Sequence, residues 1–412
     1  MNRSTRRKSA APHGRHGSPP ILYVSYDGML EPLGQSQVLA YLERLAGCRS
    51  IHLISFEKKA DWEQADLREA VRARIGRAAI RWHPLAYHKT PTGPATAFDI
   101  AAGTAKALAV ALRHHVGLVH ARSYVAGLIA LAVKRATGAD FLFDMRGLWA
   151  DERVDGGLWP AGSTLYRAAK RAERSLLLGA DHVVMLTSAS KEEISKFPYL
   201  GGHAPPISVI PTCADLDRFR IQGPLTREPF VLGYVGSVGT WYLLDEMLRC
   251  FASLRASVPA ARLLIVNRGE HALIRDRAGA LGVAPEDMEI VSARHAEMPA
   301  QIARMSAAMA LIRPTYSKLA SAPTKIAEYL GCGVPCLGNR GIGDVEQVLE
   351  GKRVGVVASA ISETALAEAT NRLLELVGEP SLQQRCRKVA EEMFSLDAGV
   401  AAYDEIYRSL QR

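Results

Sequence analysis

The stretch SAPTKIAEYLGCGVP, residues 321–335, packs a proline, a lysine and a glutamate into the start of a short helical pattern that runs straight into a Gly-rich turn. Pro323 pre-sets the backbone for a first helical turn, and Thr324 and Lys325 follow inside it. Ile326, Ala327, Tyr329 and Leu330 supply an apolar face, and Gly331 or Gly333 ends the helix. Free backbone N–H groups at such an N-terminus favour an anion, and Lys325 adds a full positive charge beside them, which makes phosphate the obvious ligand. Glu328 sits one turn beyond Lys325 on the same face, where a carboxylate repels phosphate but accepts hydrogen bonds from both hydroxyls of a ribose. The combination suits a nucleotide. On these residues alone, an amphipathic helix carrying a surface Lys–Glu pair accounts for the pattern equally well.

The elements around this stretch must position it. Short apolar, β-branched runs alternate with longer helical patterns over nearly the whole chain. ILYVSY, IHLISF, GLVHA, DFLFDM, HVVML and ISVIP, starting at Ile21, Ile51, Gly117, Asp140, His182 and Ile207, read as buried parallel strands. After a polar, Pro-bearing segment the pattern restarts with FVLGYVG, ARLLIV, MEIVSA, MALIRP, VPCLG and VGVVA. Two consecutive βα series predict an α/β chain of two facing, doubly wound, Rossmann-like domains, residues 21–213 and 230–395, joined by a linker at 214–229. Ligands in such folds bind outside the C-terminal ends of the strands. Four polar loops occupy those places: SYDGMLEPLGQSQ, MRGLWADER, GSVGTWY and RPTYSKLASAPTK. One cleft would collect all four.

Composition sets limits. A chain of 412 residues is too long for one ordinary core, and 48% hydrophobic with 23% charged residues is globular. The net charge of +9 suggests nucleic acid until it is located. Arg3, Arg6, Arg7, Lys8 and Arg15 lie in an acid-free stretch, residues 1–20, expected to be a disordered tail; the body is only mildly basic. Such a tail fits either a solvated extension or a peripheral contact with an anionic membrane, and no nucleic-acid partner is expected. The tail lacks the apolar core of a signal peptide, and the longest uncharged apolar run, Ser123 to Val133, is too short to span a bilayer. Six scattered cysteines without a CxxC pair indicate neither a disulfide framework nor a zinc site. A cytoplasmic protein, peripheral at most to the inner face of the membrane, is expected.

Three segments carry a resemblance to a known family: VIPTCADLDRF near the domain junction, GYVGSVGTWY opening the second domain, and PTKIAEYLGCGVP. With FSLDAGVAAYDEIYRSL at the end, the chain from Ile21 onward resembles the retaining family 4 glycosyltransferases of the GT-B fold. The resemblance implies that a last helix, 396–412, crosses back to the first domain. It also implies a C-terminal domain holding a nucleotide-sugar, UDP- or GDP-linked, and an N-terminal domain facing a glycan or lipid-linked acceptor. Transfer would proceed with retention, without metal and without a further cofactor, in cell-surface polysaccharide or glycolipid assembly. Glu328 would then grip the ribose, with Pro323, Thr324 and Lys325 at the pyrophosphate. Gly236, Ser237 and Thr240 would contact the same phosphates. Arg313 and Lys318 would neutralise the leaving group, and Gly34 and Gln35 would approach the donor from the first domain. Each lone Gly or Ser is equally well a turn residue.

Two departures from the family pattern stand out. The family commonly has a second glutamate eight residues before the ribose-binding one, contacting the transferred sugar; here the position is Ala320. Where a histidine often follows the fourth strand, this chain has FDMRGLWADE, with Arg146. Asp144, Arg146 and Asp151 are therefore the catalytic candidates beside the acceptor, together with Lys325 on the donor side. Asp144 and Arg146 alternate with Phe143 and Met145, so both polar chains would face the cleft; a structural ion pair at a strand end is the other reading. Asp215 and Asp217 have a spacing that tempts a metal reading, but they sit in the interdomain loop, where Asp215 more plausibly caps a turn. No GxGxxG with a following acid supports a dehydrogenase. A nucleotide-sugar epimerase of the same architecture, or a non-catalytic sugar-nucleotide-binding subunit suggested by Ala320, remain the alternatives.

Overall fold

The computed structural model describes residues 18–202, 204–225 and 228–411. The basic tail falls mostly at 1–17, outside the described residues. The described residues contain two parallel sheets covered by helices. The first has seven strands, β1 (Ile21–Ser25), β2 (Ile51–Glu57), β3 (Arg81–Ala86), β4 (Leu118–Arg122), β5 (Asp140–Asp144), β6 (His182–Met185) and β7 (Ile207–Val209), in the order 3-2-1-4-5-6-7. The second has six, β8 (Val231–Val235), β9 (Arg262–Val266), β10 (Met288–Val291), β11 (Ala307–Met309), β12 (Cys336–Asn339) and β13 (Gly355–Ala358), in the order 10-9-8-11-12-13. Both orders reverse direction beside their first strand, as doubly wound Rossmann-like domains do. The central strands are continuous apolar runs because both faces are covered by helices.

Eight helices matter below: α1 (Ala65–Arg77), α2 (Thr92–His114), α3 (Ser123–Thr137), α4 (Trp149–Asp155), α5 (Thr164–Gly179), α6 (Ser188–Ser195), α7 (Thr324–Gly331) and α8 (Leu396–Leu410). In the first domain α2, α3 and α5 bury side chains such as Val110, Ile129 and Leu176 with Phe141 and Phe143 on one face of the sheet. On the other face α1 buries Val71 and Ile75, and α8 returns from the end of the chain to bury Tyr403, Ile406 and Tyr407 in the same core. The crossing is fixed by polar contacts as well. Tyr407 Oη lies 2.7 Å from His120 Nδ1 on β4, and Asp404 pairs with Arg49 at 2.7 Å. Asp215, in the segment between the sheets, pairs with Arg44 at 3.5 Å and accepts from the Asp217 N–H at 3.2 Å, closing a turn.

Candidate functional site

After β8 the chain makes the loop Gly236–Leu243, which needs glycine at Gly236 (φ +132°) and Gly239 (φ +105°). A β-bridge from Tyr242 to Ile312, and the bond from the Arg313 N–H to the Trp241 carbonyl at 2.8 Å, pin this loop to the chain that leaves β11. Glu270 accepts from the Val238 N–H at 2.9 Å, holding the loop from below. Trp241 and Tyr242 are thereby set in the wall between two adjoining cavities. One, about 420 Å³, is lined by Ser237, Thr240, Trp241, Glu152 and Arg153 among others. The other, about 300 Å³, lies against Arg146, Ser317, Lys318, Pro323 and Thr324.

Lys325 enters from the first turn of α7 and runs under the Gly236 loop. Its Nζ donates to Tyr234 Oη at 3.1 Å and lies 3.5 Å from the Tyr242 ring centre and 4.2 Å from that of Tyr234. A methyl group on Gly236 would come within 3.0 Å of this ammonium. No carboxylate lies within ion-pair distance of it among the described residues. Burial therefore lowers its pKa to about 7, with weaker opposing fields from Cys336 and Glu328. A lysine held this way has an aromatic cradle and no counter-charge. Anion binding beside it would restore the charge.

Glu328 diverges from Lys325 instead of pairing with it: its carboxylate lies 3.6 Å from His295 Nε2, toward the loop after β10. Pro323 is the N-cap of α7, with the helix starting at Thr324, and both border the second cavity. Lys318, nearly buried, bonds Glu152 across the cleft at 2.8 Å and sits 3.6 Å over the Trp241 ring. Arg313 also lies over this ring, 5.1 Å from its centre, and donates to the Asp155 carbonyl. Gly34 and Gln35 form no part of the two cavity walls. They lie in the helical segment that follows the loop after β1, where a Cβ on Gly34 would meet the Gly28 carbonyl and Gln35 donates to the Leu30 carbonyl at 3.2 Å.

The expectation for β5 needs correction in geometry. Arg146, at φ +60°, borders the second cavity, but Asp144 does not share that outlook. It is 1% exposed, closed over by α8, and accepts from Tyr403 Oη at 3.1 Å. Arg146 lies 3.7 Å away, and Arg122 and His120 each 3.8 Å. Burial pushes the Asp144 pKa up, but Arg146, His120 and Arg122 outweigh it and hold the carboxyl below its usual range. β5 ends at Asp144 and Arg146 follows it at a positive φ, so the strand alternation does not reach Arg146, and the crossing helix covers Asp144. Asp151 also turns inward, bonding Tyr166 Oη at 2.9 Å and Lys170 at 3.0 Å, where it ties α4 to α5. Its neighbour Glu152 is the carboxylate that faces the cleft.

Sequence reading missed Glu152, Tyr234, Trp241, Tyr242 and His295. Trp241 and Tyr242 lie in a quoted loop, but aromatic residues there read as packing. Direct bonds also join the two domains. Thr187 donates to the Leu319 carbonyl at 2.6 Å, and Asp344 accepts from Ser188 N–H at 2.7 Å and Ala189 N–H at 3.0 Å, at the N-terminus of α6. Ala320, where a glutamate was expected from the resemblance, is buried with the first domain's apolar core. Its small side chain lets the loop from Arg313 to Pro323 dock against α4 and α6. Among the described residues, no group of three or more His, Cys, Asp or Glu could hold a metal ion.

Residues 36–213 match the model of the glycosyl transferase 4-like domain, and residues 229–376 that of the glycosyl transferases group 1. No curated protein sequence matches the chain. Similar solved structures include a sucrose-phosphate synthase from Thermosynechococcus elongatus, 14% identical, with a TM-score of 0.71 over 95% of this chain and 99% of that one. A glycosyltransferase from Rickettsia africae aligns over 96% of this chain and all of the other, at 14% identity and a TM-score of 0.70. HepE from Anabaena in complex with UDP-glucose aligns over 95% and 99% of the two chains, at 14% identity and a TM-score of 0.66. The two family models together span most of the chain, one on each Rossmann-like domain, and the chain belongs to the family 4-like glycosyltransferases of the GT-B fold.

Proposed function

We propose that the chain transfers a sugar, with retention of anomeric configuration, from a UDP- or GDP-sugar to a glycan or lipid-linked acceptor in cell-surface polysaccharide or glycolipid assembly. The observation that carries this reading is Lys325, buried under the Gly236 loop without an acidic partner. In this reading the donor diphosphate lies over Gly236 and Ser237 and draws Lys325 into its charged form. Glu328 accepts from the ribose hydroxyls, with His295 orienting the carboxylate. The complex of HepE with UDP-glucose, a structure of the same fold, supports a nucleotide-sugar donor.

Transfer would break the bond from the anomeric carbon to the diphosphate oxygen. The oxygen keeps the bonding pair, and Lys325, Arg313 and the N–H groups at the start of α7 stabilise the charge that develops there. The acceptor hydroxyl attacks from the same face, forms the new bond to the anomeric carbon and gives its proton to the departing diphosphate oxygen. Arg146 lies on the acceptor side of the second cavity, and Asp144 behind it holds the guanidinium in its left-handed strand-end position. These protein cations would take the part that a divalent ion plays in other transferases, and the reaction would need no metal. The cytoplasmic face of the membrane is the proposed location.

The burial of Ala320 in the first domain's core favours a second reading, a subunit that binds sugar nucleotides without transferring them. Nucleotide release measured with and without a glycan or lipid-linked acceptor separates the two. Acceptor-dependent release supports transfer. Tight binding of a nucleotide-sugar with no release under any acceptor supports the second reading.

A further inference from the structure

One layer of the first domain has an unusual outer surface. Helices α2, α3 and α5 lie side by side on one face of the seven-stranded sheet, so their outer faces form one continuous surface. These three helices contain two acidic residues, and both are turned inward: Asp99 is 1% exposed and Glu173 is fully buried. Asp99 is bonded to Tyr26 and His88, and Glu173 to Tyr124 and Lys170. The outer surface of the three helices therefore carries no carboxylate.

It does carry cations. Lys106, Arg113, Arg135, Arg167, Arg171 and Arg174 are exposed, and none forms an ion pair among the described residues. Large apolar side chains are exposed on the same helices: Phe98 is 60% exposed, Leu112 63%, Leu165 57% and Leu178 44%. Phe98 and Leu112 lie on one stripe of α2, about 21 Å apart along the helix axis. Only a third of the most apolar window of α2 is buried, although the helix is long and apolar enough to cross a bilayer. Its other face packs on β1 and β2, which fixes it in the fold.

The opposite layer of the same domain differs. There Asp66, Glu69, Asp397 and Glu405 are exposed on α1 and α8 among basic residues, an ordinary mixed surface. The asymmetry is thus a property of one face and not of the mildly basic body as a whole. Cations alone would suit any polyanion. Cations together with protruding apolar side chains on one layer suit an anionic bilayer, where the charges meet the headgroups and the apolar groups enter the boundary below them.

We infer that the outer face of α2, α3 and α5 docks on an anionic phospholipid surface. Phe98 and Leu165 stand near the helix ends that adjoin the strand C-termini, so a bilayer on this face would run alongside the mouth of the cleft. None of the donor-site residues enters this argument, so vesicle binding and sugar transfer fail separately.

The test uses the full chain and flotation with vesicles of phosphatidylglycerol and phosphatidylcholine, or of phosphatidylcholine alone, at about 0.15 M salt. The wild type should float with the anionic vesicles only. Phe98→Ser with Leu112→Ser should weaken vesicle binding at least roughly tenfold, while leaving binding to heparin unchanged. Arg167→Glu with Arg171→Glu and Arg174→Glu should weaken both by at least roughly tenfold. All these side chains are exposed, and an unchanged melting temperature checks the fold of each variant. Wild-type flotation by both variants would move the binding to the basic tail and overturn the proposal. An apolar variant that floats normally would make the face a general polyanion surface, which also overturns it, as would a wild type that binds no vesicle.

Discussion

Replacing Lys325 by methionine should stabilise the folded protein while removing donor binding. Lys325 is held at a pKa of about 7 by burial. An unfolded lysine titrates near about 10.4, and the gap, at about 1.36 kcal/mol per unit, amounts to roughly 4 to 5 kcal/mol. The sign follows from proton linkage. Between these two values the unfolded chain holds the extra proton, so stability rises with pH; the penalty is full below about 7 and is gone above the unfolded value. Met keeps the length and apolar packing of the side chain without the charge. Urea unfolding at pH 7 and pH 9 should therefore find Lys325→Met more stable than wild type, with an advantage that shrinks by roughly 2 to 3 kcal/mol at the higher pH. In the wild type, affinity for a nucleotide-sugar should fall as pH rises above about 7, because the charged ammonium is the binding form and the diphosphate diester has no proton to lose. The mutant should bind roughly 10- to 100-fold more weakly and without that pH dependence. A mutant less stable than wild type at pH 7, or an advantage equal at both pH values, would refute the reasoning, since the lysine would then be a contributor to the core and not a desolvated charge awaiting an anion.

Glu328→Ala should leave the melting temperature intact and cost about 1.5 to 3 kcal/mol of nucleotide-sugar affinity by calorimetry, the value of a charged hydrogen-bond partner. Asp144→Asn should lower stability by about 3 kcal/mol, because Arg122 and Arg146 lose a buried counter-charge, with donor affinity per folded molecule unchanged. Denaturation and calorimetry on one preparation check both halves. Trp241→Ala should reduce transfer roughly tenfold or more, since Lys318 and Arg313 both rest on that ring, each contact being worth about 0.5 to 2 kcal/mol. A steady-state assay reads it. Chelator should leave turnover essentially unchanged, and restoration by a divalent ion after its loss would contradict the proposed charge stabilisation.

The architecture was legible because buried parallel strands announce themselves as apolar runs, and twelve of the runs appear as strands. The missed one, β3, is an edge strand whose RWHPLA is half exposed and carries Arg, His and Pro, so it lacks the continuous run that marks a central strand. Three of the four loops were also legible as cavity walls, since a doubly wound sheet leaves only its strand C-terminal ends open, but SYDGMLEPLGQSQ lines neither cavity. Individual side chains were less so. Helical spacing placed Lys325 and Glu328 on one face, but a three-residue offset leaves room for one to turn inward toward Tyr234 and the other outward toward His295. Period-two alternation put Asp144 and Arg146 on one side of a strand, but β5 ends at Asp144, Arg146 follows at a positive φ, and the cover over Asp144 comes from α8, more than 250 residues away in sequence. No local pattern carries that information. Glu152 and Asp151 are adjacent on α4, and only the packing of α5 decides which of them reaches the cleft.

The central claim is that the cleft holds a nucleotide-sugar with its diphosphate at Lys325. A crystal structure with the UDP- or GDP-sugar that most raises the melting temperature tests it directly. The account predicts the diphosphate within about 3 Å of Lys325 Nζ and of the N–H groups following Gly236, with the ribose hydroxyls on Glu328. A nucleotide bound elsewhere, with Lys325 still facing only Tyr234 and Tyr242, would contradict it.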